Sequence, residues 1–261
     1  MSQISVQINV PLALMIIASF LLAIVLHEWA HAQMASWLGD QTPRSEGRLT
    51  LSLRAHLDPV GLVMCLILAF QPLMVTVLPG AGIVPLLLSL PPAGLGWGKP
   101  VKPDPWRMRV HADTGVFLVA CAGLICSLII GLLAAVLFRF LDPLLPSGFL
   151  PQLLRQWVLV FACVNIGLAL FNLIPLYPLD GYQILYTFLP SKQAAQFSRS
   201  AIYGPFIILA LFFFLPFIAR LAGVGDFPLF RLPYYIWLGA QALISLVTGL
   251  PINSLILAYL V

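Results

Sequence analysis

Five consecutive residues, His27-Glu28-Trp29-Ala30-His31, carry the densest chemistry in this 261-residue chain. On an α-helix, side chains four apart share a face, so the two imidazoles can bind one zinc ion while the carboxylate between them handles the proton of a zinc-activated water. The run 10–26 before them contains no charged residue. The motif therefore lies inside a stretch long and apolar enough to cross a bilayer. Counted at helical rise from His31 to Gly39, the metal position falls about 12 Å inside the end of that span. A carboxylate such as Glu28 is costly at that depth unless it is paired or wetted, which marks it as a functional candidate. Mere hydrogen bonding of His27, Glu28 and His31 to neighbouring helices is the competing reading, and the rarity of buried charge in membrane spans weighs against it.

A catalytic zinc takes three protein ligands and keeps its fourth position open. The best third candidate is Asp180, in Asn172-Leu173-Ile174-Pro175-Leu176-Tyr177-Pro178-Leu179-Asp180-Gly181. Two prolines unwind the helix at the end of a later span, and Gly181 permits the tight backbone that turns the carboxylate back toward the membrane interior.

The elements that must position these groups follow from composition. With 61% hydrophobic and 8% charged residues, the chain belongs to the membrane class. Its net charge of +4 is then a topology signal and gives no reason to expect a nucleic-acid partner. The four cysteines, Cys65, Cys121, Cys126 and Cys163, sit in apolar stretches without CxxC spacing and read as packing residues. The first apolar stretch lacks a basic leader and a cleavage site, so a removed signal peptide is not expected.

The expected fold class is an all-α polytopic membrane protein with about six transmembrane helices and a short membrane-associated β element after the first span. A single membrane-embedded domain would occupy 1–261. Spans are expected at 10–38, which holds the histidine motif, and at 60–78, 116–137, 157–174, 202–217 and 234–257. The apolar stretch 81–95, broken by Pro85, Pro91 and Pro92, reads as half-length or re-entrant. Within the polar segment 40–58, residues 47–53 alternate apolar and polar positions as a strand would. Residues 59–190 complete the core with Asp180, and 200–261 form C-terminal spans. No loop is long enough for a folded extramembrane module.

The basic residues set orientation. Arg44, Arg48, Arg54, Lys99, Lys102, Arg107, Arg109, Lys192 and Arg199 fall on one side if 59–95 leaves and returns on that side, against Arg139, Arg155, Arg220 and Arg231 on the other. The richer side is expected to face the cytoplasm, and both halves of the metal motif end there.

With these motifs assembled, the chain resembles the site-2 protease family of intramembrane zinc metalloproteases, in its compact prokaryotic branch without a PDZ domain. The resemblance rests on HEWAH and NLIPLYPLDG, with support from Gly39-Asp40, Gly47-Arg48-Leu49-Thr50-Leu51, His56-Leu57-Asp58-Pro59 and Gly98-Lys99-Pro100-Val101. It implies one catalytic Zn2+ held by His27, His31 and Asp180, with Glu28 as general base. Asn172 would hold substrate or stabilise the oxyanion, and residues 47–53 would dock an unwound substrate as an added strand. The implied substrate is a single-span or signal-peptide-like membrane protein cut within its transmembrane segment, as in regulated intramembrane proteolysis. The implied location is the inner membrane of a prokaryotic cell, with the site toward the cytoplasm and a membrane partner as one route of regulation. In one departure, Leu124 and Ser127 stand where the branch often has Pro and Asn, which implies an altered helix kink and an altered polar contact near the site. An inactive scaffold would lack a ligand or the base, and a metal or ion transporter would spread ionisable groups along a path; neither pattern is present.

The remaining polar residues have ordinary explanations. Asn165, seven before Asn172, would hydrogen-bond across helices more readily than line a wet path. His56 and Asp58 read as interfacial and His111 as solvated. Trp97, Trp106, Trp157, Tyr234, Tyr235 and Trp237, near span ends, read as interface anchors.

Overall fold

The computed structural model describes residues 3–7, 9–70, 73–78, 82–85, 93–222 and 227–260. Helix α1 (Val10–Trp37) opens with Asn9, whose side-chain oxygen accepts the Leu12 N–H, and with a proline in its first turn. Its 28 residues exceed the roughly 20 that a bilayer crossing needs. Three short helices follow, α2 (Thr42–Ser45), α3 (Leu53–His56) and α4 (Pro59–Ala69). Two long ones, α5 (Ala112–Leu144) and α6 (Phe149–Asn172), complete the centre. Beyond them lie α7 (Asp180–Phe188), α8 (Ser191–Ser198), α9 (Gly204–Leu209), α10 (Leu215–Leu221), α11 (Leu232–Thr248) and α12 (Ile252–Leu260).

Among the described residues, α1, α5, α6 and the run Ser191–Ala219 that joins α8 to α10 are long and apolar enough to cross a membrane. The pair formed by α11 and α12, bent by 116°, brings the number to five at most. The chain is thus an all-α polytopic membrane protein in its main body, with four or five candidate crossings among the described residues where six were expected. The difference arises at two places. The apolar run 60–78 divides, because α4 stops after 11 residues and Leu73–Leu78 forms a strand. Val75, Thr76 and Val77 favour that strand, and hydropathy alone cannot separate an apolar helix from an apolar strand. The run 234–257 also divides, at Gly249, whose φ of 69° ends α11 in a left-handed turn.

Strands β1 (Gln3–Gln7), β2 (Leu73–Leu78) and β3 (Gly82–Pro85) pair antiparallel in the order β1-β2-β3. The β element expected at 47–53 is absent: Gly47 is a turn residue at φ 69° and Leu53 begins α3. Alternation misleads there because Arg48 is buried while Leu51 is 64% exposed. The Arg48 guanidinium donates to the carbonyls of Ala55 and Lys99, supplying by side chain what a strand would supply by backbone.

Residues 93–98 are buried without helical structure. They return beside the start of the excursion, for Leu57 and Gly98 form an antiparallel bridge and the Lys99 N–H donates to the His56 carbonyl at 2.7 Å. The segment 58–97 therefore begins and ends at one place, as the same-side return requires. Asp58 caps α4 by accepting the Val60 and Gly61 N–H groups, and His56, fully buried, donates from Nε2 to the Thr50 carbonyl. Both are therefore fixed by hydrogen bonds. Trp97 and Trp237 are likewise core residues, not interface anchors. Asn165 donates to the Phe161 carbonyl of its own helix, so the cross-helix bond expected of it is not made.

Gly61 shows how tightly the ribbon is held. A β-carbon there would stand 2.1 Å from the Trp97 carbonyl oxygen, whereas one on Gly47 meets nothing within 4 Å. Gly61→Ala is expected to cost about 3 kcal/mol or more, because main chain cannot give way as a side chain does. Gly47→Ala should cost about 1–2 kcal/mol, from backbone conformation alone. Thermal unfolding in detergent checks the order, and equal losses would mean that the ribbon is not held at Gly61.

Candidate functional site

The small-residue series Gly123, Ser127 and Gly131, spaced at four, runs along α5. Small residues let helices approach closely in a membrane, where packing replaces the hydrophobic driving force. A β-carbon on Gly123 would lie 2.3 Å from His31 Nε2 and 2.9 Å from His27 Nε2, and one on Gly131 would lie 2.6 Å from Ile166 of α6. The stripe therefore presses α5 onto the two histidines of α1 at one level and onto α6 at another.

Asp180 arrives from the far side of that packing. After α6 ends at Asn172, the chain turns through Pro175 and Pro178 and re-enters helix at Asp180. Gly181 lets the turn close, since a β-carbon there would meet the Leu173 carbonyl oxygen at 2.2 Å. The result brings both halves of the expected ligand set together. His27 Nε2 lies 3.0 Å from one Asp180 oxygen and His31 Nε2 lies 3.1 Å from the other, with 3.1 Å between the two Nε2 atoms. His27, Glu28, His31 and Asn172 are all buried, and the Asp180 side chain is 15% exposed.

The outer ring nitrogens decide what these atoms can do. His31 Nδ1 is 2.7 Å from the Val119 carbonyl oxygen, which only accepts, so the proton is on Nδ1 and Nε2 of the neutral ring carries a lone pair. His27 Nδ1 is 2.9 Å from Ser127 Oγ, a hydroxyl able to accept the corresponding proton. Two lone pairs and a carboxylate then converge. Ligands on one tetrahedral zinc stand about 3.3 Å apart, given bonds of about 2.0–2.1 Å, and the observed spacings of 3.0–3.1 Å, one to each Asp180 oxygen, are close to that. The donor set, two imidazoles and a carboxylate, fits zinc.

Glu28 stands beside this triangle, with ligand atoms of His27, Glu28 and His31 all within 4.8 Å of one another. Its carboxylate packs on the ribbon where Gly98 leaves room, for a β-carbon there would be 2.5 Å from Glu28 Oε1. Oε2 is buried with no hydrogen-bond partner. A cavity of about 40 Å³ joins Glu28, His31, Asn172 and Asp180 with Trp97, Pro100, Tyr177 and Gln183. That is room for water but not for a peptide, so a substrate must move its walls. A larger apolar groove of about 470 Å³ between α1, α5 and α6 offers no titratable group.

Asn172 is at the cavity as expected, although one of its amide hydrogens already bonds the Leu168 carbonyl. His111 is exposed, 3.9 Å from Asp113, and is not part of the site. Sequence reasoning missed the Val119 carbonyl, which leaves no mark in side-chain pattern, and Gln183, one turn beyond Asp180. Ser127 was visible only as a departure. In place it restores a polar contact with His27, and α5 runs through Leu124 as unbroken helix.

A Bacillus subtilis (strain 168) protein bearing the name "Putative zinc metalloprotease YwhC" is 31% identical to the chain over 207 residues, covering 77% of this chain and 82% of that protein. No family model matches the chain. No solved structure matches it.

Partners on the outer nitrogen of a metal-binding histidine orient the ring and raise its basicity. Ser127→Ala is expected to weaken zinc binding about 10- to 100-fold, measured by competition with a chromogenic chelator in detergent. Ser127→Asn, which keeps a hydrogen-bonding group, should retain most of the affinity. Unchanged affinity in Ser127→Ala would reduce the hydroxyl to a space filler.

Proposed function

Because the chain belongs to the zinc metalloprotease family of that Bacillus protein, we propose that it is an intramembrane endopeptidase of the site-2 protease type, cutting a transmembrane segment of another membrane protein. The observation that carries this reading is the meeting, at 3.0–3.1 Å, of Asp180 with His27 and His31 of a helix of membrane-spanning length. These three side chains would hold zinc. Bound there, zinc supplies Lewis acidity, which makes water nucleophilic near neutral pH and polarises a carbonyl.

The chain's own groups supply the rest. Glu28, with Oε2 unpartnered beside the water-sized cavity, accepts a proton from water as its oxygen attacks the scissile carbonyl carbon. It then delivers that proton to the departing amine nitrogen as the C–N bond breaks. Asn172 retains one amide hydrogen to stabilise the developing oxyanion.

A helical substrate hides its peptide bonds in its own hydrogen bonds and must unwind to be cut, leaving backbone groups that lipid cannot satisfy. With no strand at 47–53, the docking role falls to the buried extended segment at 93–98. The bridge to Leu57 is made through the flanking Lys99 N–H, so the N–H and C=O of Gly98 point to the opposite edge. The substrate class is a single-span or signal-peptide-like membrane protein. The site opens toward the cytoplasm of a prokaryotic cell, a placement supported by two ties that hold the basic loops to the end of α1. One joins the Arg109 N–H to the Leu38 carbonyl, and the other joins the Asp104 N–H to Asp40.

Glu28→Gln keeps the shape of the side chain and removes the base. The purified variant is expected to hold as much zinc as the wild type while cleaving a panel of single-span substrates at least about 100-fold more slowly. Cleavage at the wild-type rate would rule out this mechanism.

A further inference from the structure

Gln183 follows Asp180 by three residues on α7, so the two share a face of that helix and enter the same cavity. It is half-buried, and among the described residues its side-chain amide has no hydrogen-bond partner within the protein. The buried amides of the helical body each donate a hydrogen bond. Gln156 donates to the Tyr259 carbonyl, Gln241 to the Cys163 sulfur, and Asn172 to the Leu168 carbonyl. The Gln183 amide atoms are not sealed from solvent, so water can serve them and a ligand entering the cavity can take its place.

We propose that Gln183 binds the main chain of the unwound substrate next to the scissile bond, as a substrate-binding residue that recognises peptide groups irrespective of side chain. An amide carries a donor and an acceptor in one plane, the complement of a peptide unit's own C=O and N–H. Gln183 lines the cavity together with Asp180, Glu28 and Asn172. An extended chain entering there would meet the Gln183 amide along one edge. This chemistry is specific to backbone and indifferent to sequence, which suits a site that must replace the hydrogen bonds of a melted helix.

The inference rests on the peptidase reading, and a binding measurement separates the two. Zinc-loaded full-length protein in detergent is titrated with acetohydroxamate, which reaches only the metal, and with a hydroxamate carried on a capped Leu-Ala dipeptide, which adds peptide units. The wild type is expected to prefer the dipeptidyl probe by about tenfold or more, as one or two net hydrogen bonds would provide. Gln183→Met, similar in size and flexibility, should lose most of that preference while acetohydroxamate affinity and zinc content stay as in the wild type. Gln183→Glu, which lacks the donors, should not restore it. A wild-type preference that survives in Gln183→Met overturns the role of Gln183 and leaves the peptidase reading standing. Equal weakening of both probes overturns it as well, since the residue would then act on the metal site. A wild type without any preference overturns the peptide-binding cavity and the peptidase reading together.

Discussion

Three groups with lone pairs, His27 Nε2, His31 Nε2 and the Asp180 carboxylate, stand 3.0–3.1 Å apart in the interior of a membrane protein. Atoms so arranged repel one another unless a cation lies among them or a proton is shared, and the low-dielectric surroundings enlarge that repulsion. The neighbouring structure works to keep them there. Val119 and Ser127 occupy the outer ring nitrogens, so both imidazoles turn Nε2 inward. Gly123 lets α5 approach close enough for those contacts, and Gly181 lets the loop after α6 bring the carboxylate back. Each device is small, and removal of any one releases an atom of the triangle.

The second constraint is a buried stretch of chain that is neither helix nor lipid-facing strand. Backbone polar groups at membrane depth are tolerated only where protein or a water-filled cavity meets them. Residues 93–98 satisfy this condition by lying among α1, α4 and α6, where Ile16 and Val164 crowd Gly94, Gly61 and Phe20 crowd Gly96, and Glu28 crowds Gly98. Arg48 and His56 bind the adjoining loop by side-chain hydrogen bonds to carbonyls. Gly98, without a side chain, thereby lets main chain pack directly on Glu28.

Much of the site is legible in the order of the residues. Charge depletion over 10–26 and the spacing of His27, Glu28 and His31 depend only on local helix geometry, and Pro175, Pro178 and Gly181 announce a turn that aims a carboxylate. The helical membrane class follows from composition alone. The misreadings share one cause. Apolar content at 60–78 and 234–257 registers burial without distinguishing helix from strand or straight from bent, and alternation at 47–53 suggests a strand where a buried Arg48 does the bridging.

The sequence by itself thus determined the candidate groups of the site: which side chains hold charge in an apolar chain, and at what spacing along a helix. Tertiary structure alone decided that Asp180 meets the histidines, that Ser127 and Val119 select the ring nitrogen turned inward, and that Gln183 shares their cavity. Spacing along a chain is set by the geometry of one helix and can be counted. Contact between residues 27 and 180, or 27 and 127, is set by how closely helices pack, and that depends on the absence of a β-carbon at positions such as Gly123, a signal with no meaning until its neighbour is known.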